Sequence, residues 1–173
     1  KDNFSILNLN VDTILPTFID ISMGTRDINY NSISSIFTLE FSRELLETDT
    51  QLLENHIITD PSDSLMVVNL EKDVANVNKW VGTLQVNEEI DYSNGSIEVN
   101  YKDTIKSIEN ISINTIIPDL SFVEISVSNF TYANSFAILT IGFTRNILET
   151  SEYLETNSIT INANGKLQMT NLQ

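Results

Sequence analysis

The side chains able to do chemistry in this 173-residue chain are mostly carboxylates: 24 Asp and Glu stand against 9 Lys and Arg, one His and no Cys. Without cysteine there is no thiolate nucleophile, disulfide or thiolate metal ligand. His56 stands alone, and a general base or a metal-bound imidazole needs convergent partners that no second His or Cys supplies. It reads as a structural or surface histidine. The 5 glycines form no phosphate-cradling loop and no G-x-S-x-G elbow. Trp80, the single tryptophan, gives no aromatic platform for sugar hydrolysis and reads as a core residue. The chain is therefore expected to be no enzyme, with no catalytic or cofactor-binding residues.

Carboxylates can still supply hard oxygen ligands for Ca²⁺, which takes about six to eight oxygens at roughly 2.3–2.6 Å. The candidates are Asp12, Glu44, Glu47, Asp49, Asp73 and Asp103. Separate, hydrated acids are the other reading, because most carboxylates in so acidic a chain are simply solvated. No D-x-[DN]-x-[DN]-G loop is present to decide between them. The choice depends on the elements that carry these acids.

A composition that is 41% hydrophobic and 19% charged supports a packed core rather than a disordered segment. The formal charge of −15 would repel phosphate backbones and anionic headgroups, so neither nucleic acid nor a membrane surface is an expected partner. No run of about 18 apolar residues occurs, and Lys1 is not followed by an apolar signal core. Any signal or anchor is expected outside the segment.

The chain repeats itself. Tyr30–Thr48 aligns without a gap on Tyr132–Thr150, an offset of 102 residues, with Phe41, Arg43, Leu46, Glu47 and Thr48 falling on Phe143, Arg145, Leu148, Glu149 and Thr150. The same offset carries Thr13 and Pro16 onto Thr115 and Pro118, and Leu65, Asn69 and Leu70 onto Leu167, Asn171 and Leu172. Around the first strand the match of Phe18, Ile21 and Ser22 with Phe122, Ile125 and Ser126 suggests a slip to 104. The division expected is 1–15 as the closing strand of a preceding repeat, 16–117 as a complete repeat, and 118–173 as the first half of another.

Short alternating runs bounded by polar turns predict half-buried strands at 18–23, 35–42, 56–59, 64–70, 80–86, 96–101 and 107–115. In the second of these Phe37, Leu39 and Phe41 point one way, Thr38 and Glu40 the other. Helix-like spacing of Leu45, Leu46, Leu52 and Leu53 allows a helical turn within 43–55. Asp60-Pro61-Ser62-Asp63 and Ser93-Asn94-Gly95 read as turns. Seven such strands, all-β and antiparallel, suggest a two-sheet sandwich. In that arrangement the loops carrying Glu44, Glu47, Asp49, Asp73 and Asp103 share the pole where the first strand begins, with Asp12 just upstream. The opposite pole would carry Asp60, Asp63, Glu88, Glu89 and Asp91, so that consecutive units meet acid to acid.

Val11-Asp12-Thr13-Ile14-Leu15-Pro16, with its second copy Ile113-Asn114-Thr115-Ile116-Ile117-Pro118, resembles the VDTxxP junction of bacterial immunoglobulin-like repeats of giant surface adhesins. Phe41-Ser42-Arg43-Glu44-Leu45 is similar to that family's FSE segment with an Arg before the acid. Tyr101-Lys102-Asp103-Thr104 is similar to its YxDxxGN turn without the Gly and Asn, and Asn114 stands where the junction has Asp. The resemblance implies tandem immunoglobulin-like sandwiches, links in an extracellular or cell-surface rod, with calcium at the links.

The expected role is thus an extender repeat of a fibrous protein or adhesin, its partners being neighbouring repeats of the same chain and, in a filament, other copies. A module binding carbohydrate or protein through its loops, and a subunit assembling by strand exchange, are the alternatives.

Overall fold

The computed structural model describes residues 13–127, 129–133, 135–160 and 169. Most of the expected closing strand at 1–15, Asp12 with it, lies outside the described residues, as do Leu167, Asn171 and Leu172. The chain divides into two compact units, Lys1–Ile116 and Ile117–Gln173.

In the first unit the alternating runs become strands: β1 (Phe18–Met23), β2 (Asp27–Asn29), β3 (Ser34–Phe41), then helix α1 (Asp49–His56), followed by β4 (Ile57–Asp60), β5 (Leu65–Lys72), β6 (Lys79–Val86), β7 (Asp91–Tyr101) and β8 (Thr104–Asn114). They form two four-stranded sheets, ordered β1-β3-β6-β5 and β2-β8-β7-β4. Every pairing is antiparallel except β2 with β8, which is parallel. The result is an all-β sandwich. Because side chains alternate across a strand, each sheet turns one apolar set inward. Phe37, Leu39 and Phe41 from one sheet join Ile97, Val99 and Tyr101 from the other in a single core.

Trp80 is in that core at 3% exposure. Leu45 and Leu52, fully buried, close the end of the sandwich next to α1, whereas Leu46 is 94% exposed. The helix starts at Asp49 because Thr48 caps it: the Thr48 hydroxyl accepts from the Gln51 N–H at 3.3 Å, and the Thr48 N–H donates to the Gln51 side chain at 2.9 Å. Arg43–Glu47 stays outside the helix.

Two features differ from the sequence reading. Strand β2 is too short at three residues to show a period, yet its Ile28 is fully buried. Ser93-Asn94-Gly95 is no turn: it lies inside β7, where the pairing with β8 shifts register on both sides of Gly95. A Cβ on Gly95 would stand 3.1 Å from the Ile111 carbonyl oxygen, so the glycine serves close approach at a bulge rather than chain reversal. The Asp60–Asp63 segment does reverse the chain, with the Pro61 carbonyl accepting from the Ser64 and Leu65 N–H groups.

The second unit contains β9 (Leu120–Ile125), β10 (Leu139–Phe143) and α2 (Ser151–Asn157). Its two strands pair antiparallel with Leu120↔Phe143, Val123↔Ile141 and Ile125↔Leu139. In the first unit Phe18↔Phe41, Ile21↔Leu39 and Met23↔Phe37 pair in the same way, each partner 102 positions earlier. Both pairs shift register at the same place, beside Phe41 and Phe143. The Ser42 hydroxyl accepts from the Thr17 N–H, and the Thr144 hydroxyl from the Asp119 N–H. Asn55 donates to the Gln51 carbonyl and Asn157 to the Tyr153 carbonyl, each reaching back one helical turn. These partners keep an offset of 102 through the first strand, which corrects the slip to 104.

Phe41 is 1% exposed, while Phe143 is only half-buried. Phe41→Ala should cost about 3–5 kcal/mol, the range for emptying a full aromatic site, and Phe143→Ala about half of that or less. Urea unfolding followed by Trp80 fluorescence reads the first unit alone and should register only Phe41→Ala.

Candidate functional site at the Pro16 pole

The start of β1, the segment between β3 and β4, the β5–β6 connection and the two-residue β7–β8 turn lie at one end of the first sandwich. Hydrogen bonds tie that end together. Lys102, at φ 54 in the β7–β8 turn, donates from Nζ to the Pro16 carbonyl at 3.2 Å. Arg43 donates to the Ile14 carbonyl at 3.4 Å, and Thr17 donates to the Ser42 hydroxyl at 2.9 Å. Proline has no N–H, so Pro16 offers only an acceptor here. A shallow cavity of about 340 Å³ lies beside it, lined by Leu15, Pro16, Leu46, Glu47, Tyr101 and Lys102.

The acids proposed as calcium ligands have separate surroundings. Glu44 makes an ion pair with Lys72 at 2.9 Å. Glu47 accepts from the Tyr101 hydroxyl at 3.0 Å. Asp73 accepts from the Ala75 N–H at 2.8 Å and so shapes its own loop. Asp49 is exposed in the first turn of α1, where a negative charge favours the helix dipole. Asp103 is exposed in the β7–β8 turn. Asp12 lies outside the described residues. Among the described residues no group of three or more His, Asp or Glu converges closely enough to hold a metal ion.

The sequence reading missed the cations. Arg43, Lys72 and Lys102 stand among these acids, so the pole is mixed in sign rather than acidic. Lys72 also lies 5.6 Å from the centre of the Trp80 ring, and Lys102 lies 4.8 Å from that of Tyr101. The signal was partly visible: Arg43 and Arg145 recur at the same place in both copies. Exposed pairs of this kind each contribute about 0–1 kcal/mol.

His56 ends α1 and rests edge-on against Tyr101 at 5.0 Å. Its Nδ1 lies 2.8 Å from the Asn100 carbonyl, which can only accept, so Nδ1 carries the proton. At the far end Thr115 is 4% exposed; its hydroxyl donates to the Glu88 carbonyl at 2.6 Å and accepts from the Ile90 N–H at 3.0 Å. There Ser64 bonds Glu88 and Tyr92 bonds Asp60. The segments 60–64 and 87–91 at that end contain acids and no Lys or Arg, and 30–34 contains neither.

Among the described residues no helix is long and apolar enough to cross a membrane. No family profile, curated protein or solved structure matches the chain.

Tyr101 is 2% exposed. Burial, reinforced by the hydrogen bond to Glu47, pushes its phenol from the usual 10.0 up to about 12. The unfolded phenol loses its proton near 10 and the folded one near 12, so the folded state binds the extra proton between those values. The stabilisation is whole below pH 10 and is lost as the pH rises through 12. Tyr101→Phe should lower stability by about 0.5–1.5 kcal/mol at neutral pH. It should also flatten the alkaline fall, as measured by urea midpoints across that range.

Proposed function

We propose that the chain is a non-catalytic structural segment of tandem immunoglobulin-like sandwiches, with a period of about 102 residues, that extends a secreted or surface-exposed protein. The observation carrying this reading is the recurrence, 102 positions apart, of strand register, bulge, helix cap and loop hydrogen bonds. Thr48 and Thr150 both cap helices, at the same distance after the paired strands. A chain that rebuilds the same local frame at fixed spacing has the organisation of an array.

The immunoglobulin-like assignment is supported by sheet membership. The order β1-β3-β6-β5 against β8-β7-β4 corresponds to the A-B-E-D and G-F-C sheets of constant-type sandwiches. The short β2, parallel to β8, transfers the first strand's continuation to the second sheet. The extracellular placement, the adhesin relationship and neighbouring repeats as partners rest on the resemblance of the Val11–Pro16 junction. The spacer role is supported by how the Pro16 pole uses its polar groups: Arg43, Lys102 and Ser42 all hold backbone of the segment that leads into β1.

Pulling the chain by its ends should give a discrete unfolding event lengthening it by about 340 Å, the extension of roughly 100 residues. Structureless extension, or saturable binding of a glycan or protein abolished by Leu46→Asp and Lys102→Glu, would overturn the spacer reading in favour of a binding module. Melting in calcium and in chelator should differ by less than about 2 °C. A larger calcium-dependent rise would instead establish a calcium clamp that includes Asp12.

A further inference from the structure

The outer face of the β1-β3-β6-β5 sheet has an apolar strip at its middle. Val68, Thr83 and Ile36 stand side by side across β5, β6 and β3, and Val81 follows beside Thr38 in the next outward row. Ile36 is 62% exposed. A cavity of about 430 Å³ opens here, lined by Ile36, Val81 and Thr83 on one side and by Asn69, Glu71 and Asp73 on the other. That size falls within the range of about 300–1,000 Å³ found for ligand clefts. A bulge shapes it: Asn69 and Leu70 of β5 together oppose Gly82, Leu70 entering the core while Asn69, at φ 52, stays exposed. A Cβ on Gly82 would stand 3.2 Å from Leu70 Cδ1 and from the Val68 carbonyl oxygen, so the glycine leaves room for the bulge. The cations nearby are already engaged, Lys72 with Glu44 at 2.9 Å and Lys79 with Glu40 at 3.5 Å. Among the described residues neither Glu71 nor Asp73 makes an ion pair, and Asp73 commits only Oδ1, to the Ala75 N–H.

We propose that this hollow takes an arginine or lysine side chain from a basic polypeptide partner, its stem lying on Ile36, Val81 and Thr83 and its charged head meeting Glu71 and Asp73. Such side chains lay an apolar stem along apolar surface while the head keeps polar company, which is the division between the two walls of this cavity. The Asn69 amide, on the acidic wall, adds a neutral acceptor. Charge selects the occupant. Two carboxylates without cation partners attract a basic segment, and a formal charge of −15 repels a second copy of this chain. The site is separate from the cavity beside Pro16, so its occupation neither requires nor excludes the spacer role.

The test follows the fluorescence anisotropy of a labelled peptide of alternating Arg and Val as the full 173-residue chain is added. Saturable one-to-one binding is expected, and the same peptide with citrulline in place of arginine should not bind. Glu71→Gln combined with Asp73→Asn should weaken binding about tenfold or more, and Ile36→Ser should weaken it about threefold. Glu98→Gln combined with Glu109→Gln removes as many charges from the other sheet and should leave binding within about twofold. None of these side chains is in the core, and Asp73→Asn keeps an acceptor for the Ala75 N–H, so the variants fold; the urea midpoint read by Trp80 checks this. Equal weakening by the two double variants overturns the proposal, because the attraction would then be diffuse. Absence of binding, or equal binding of the citrulline peptide, overturns it too. So does displacement of the peptide by an equal concentration of spermidine, since a free polyamine would then be the occupant. Failure of the peptide to bind leaves the spacer reading standing, since the pulling experiment judges that one.

Discussion

The inward face of β3 is the constraint on which the first unit depends. This strand is central in its sheet, paired with β1 and with β6, and it places Phe37, Leu39 and Phe41 at 1% exposure or less. Burying each such side chain contributes about 1.5–3 kcal/mol. The burial is available only if β1 and β6 hold register, since a slip of one residue would turn all three to solvent. It also needs the second sheet opposite, which supplies Ile97, Val99 and Tyr101.

The same face organises the Pro16 pole. Phe41 is its last member and touches Phe18 at 5.3 Å and Tyr101 at 5.1 Å between ring centres. Tyr101 in turn meets His56 and holds Glu47. The aromatic chain carries the geometry of the core to the surface, fixing where the turn at Lys102 and the cap of α1 must lie. In the second unit Phe143 has a place in the same register but no second sheet over it among the described residues. The hairpin geometry is thus local, set by pairing and bulge, whereas the burial is not.

This separation explains what could be read from the sequence. The strands around Phe37–Phe41 and Ile97–Tyr101 were legible because alternation is a local property enforced by a wet face and a dry one. Strand β2 was not, because Ile28 is one apolar residue between two polar ones and becomes a strand only by lying beside Ile113. Ser93-Asn94-Gly95 misled because turn chemistry and bulge chemistry call on the same residue, glycine, and only the opposing Ile111 distinguishes them. Strand order sends the acids of the candidate site to one pole, and Asp12 among them lies outside the described residues. Their partners were invisible because Lys72 and Lys102 reach Glu44 and Pro16 across 28 and 86 residues of sequence.

The first unit's poles therefore differ in chemistry, although the sequence suggested two acidic ends. The Pro61 end has acids and no Lys or Arg in its 60–64 and 87–91 segments, and its side-chain bonds come from neutral groups: the Thr115 hydroxyl, Ser64 and Tyr92. The Pro16 end uses ammonium and guanidinium groups on backbone carbonyls. Pro16 lacks an N–H, so a ladder bond donated from that position is ruled out. The carbonyls of Ile14 and Pro16 still need donors. Arg43 and Lys102 supply them from two different loops, and the segment leading into β1 thereby becomes the point where those loops are held together.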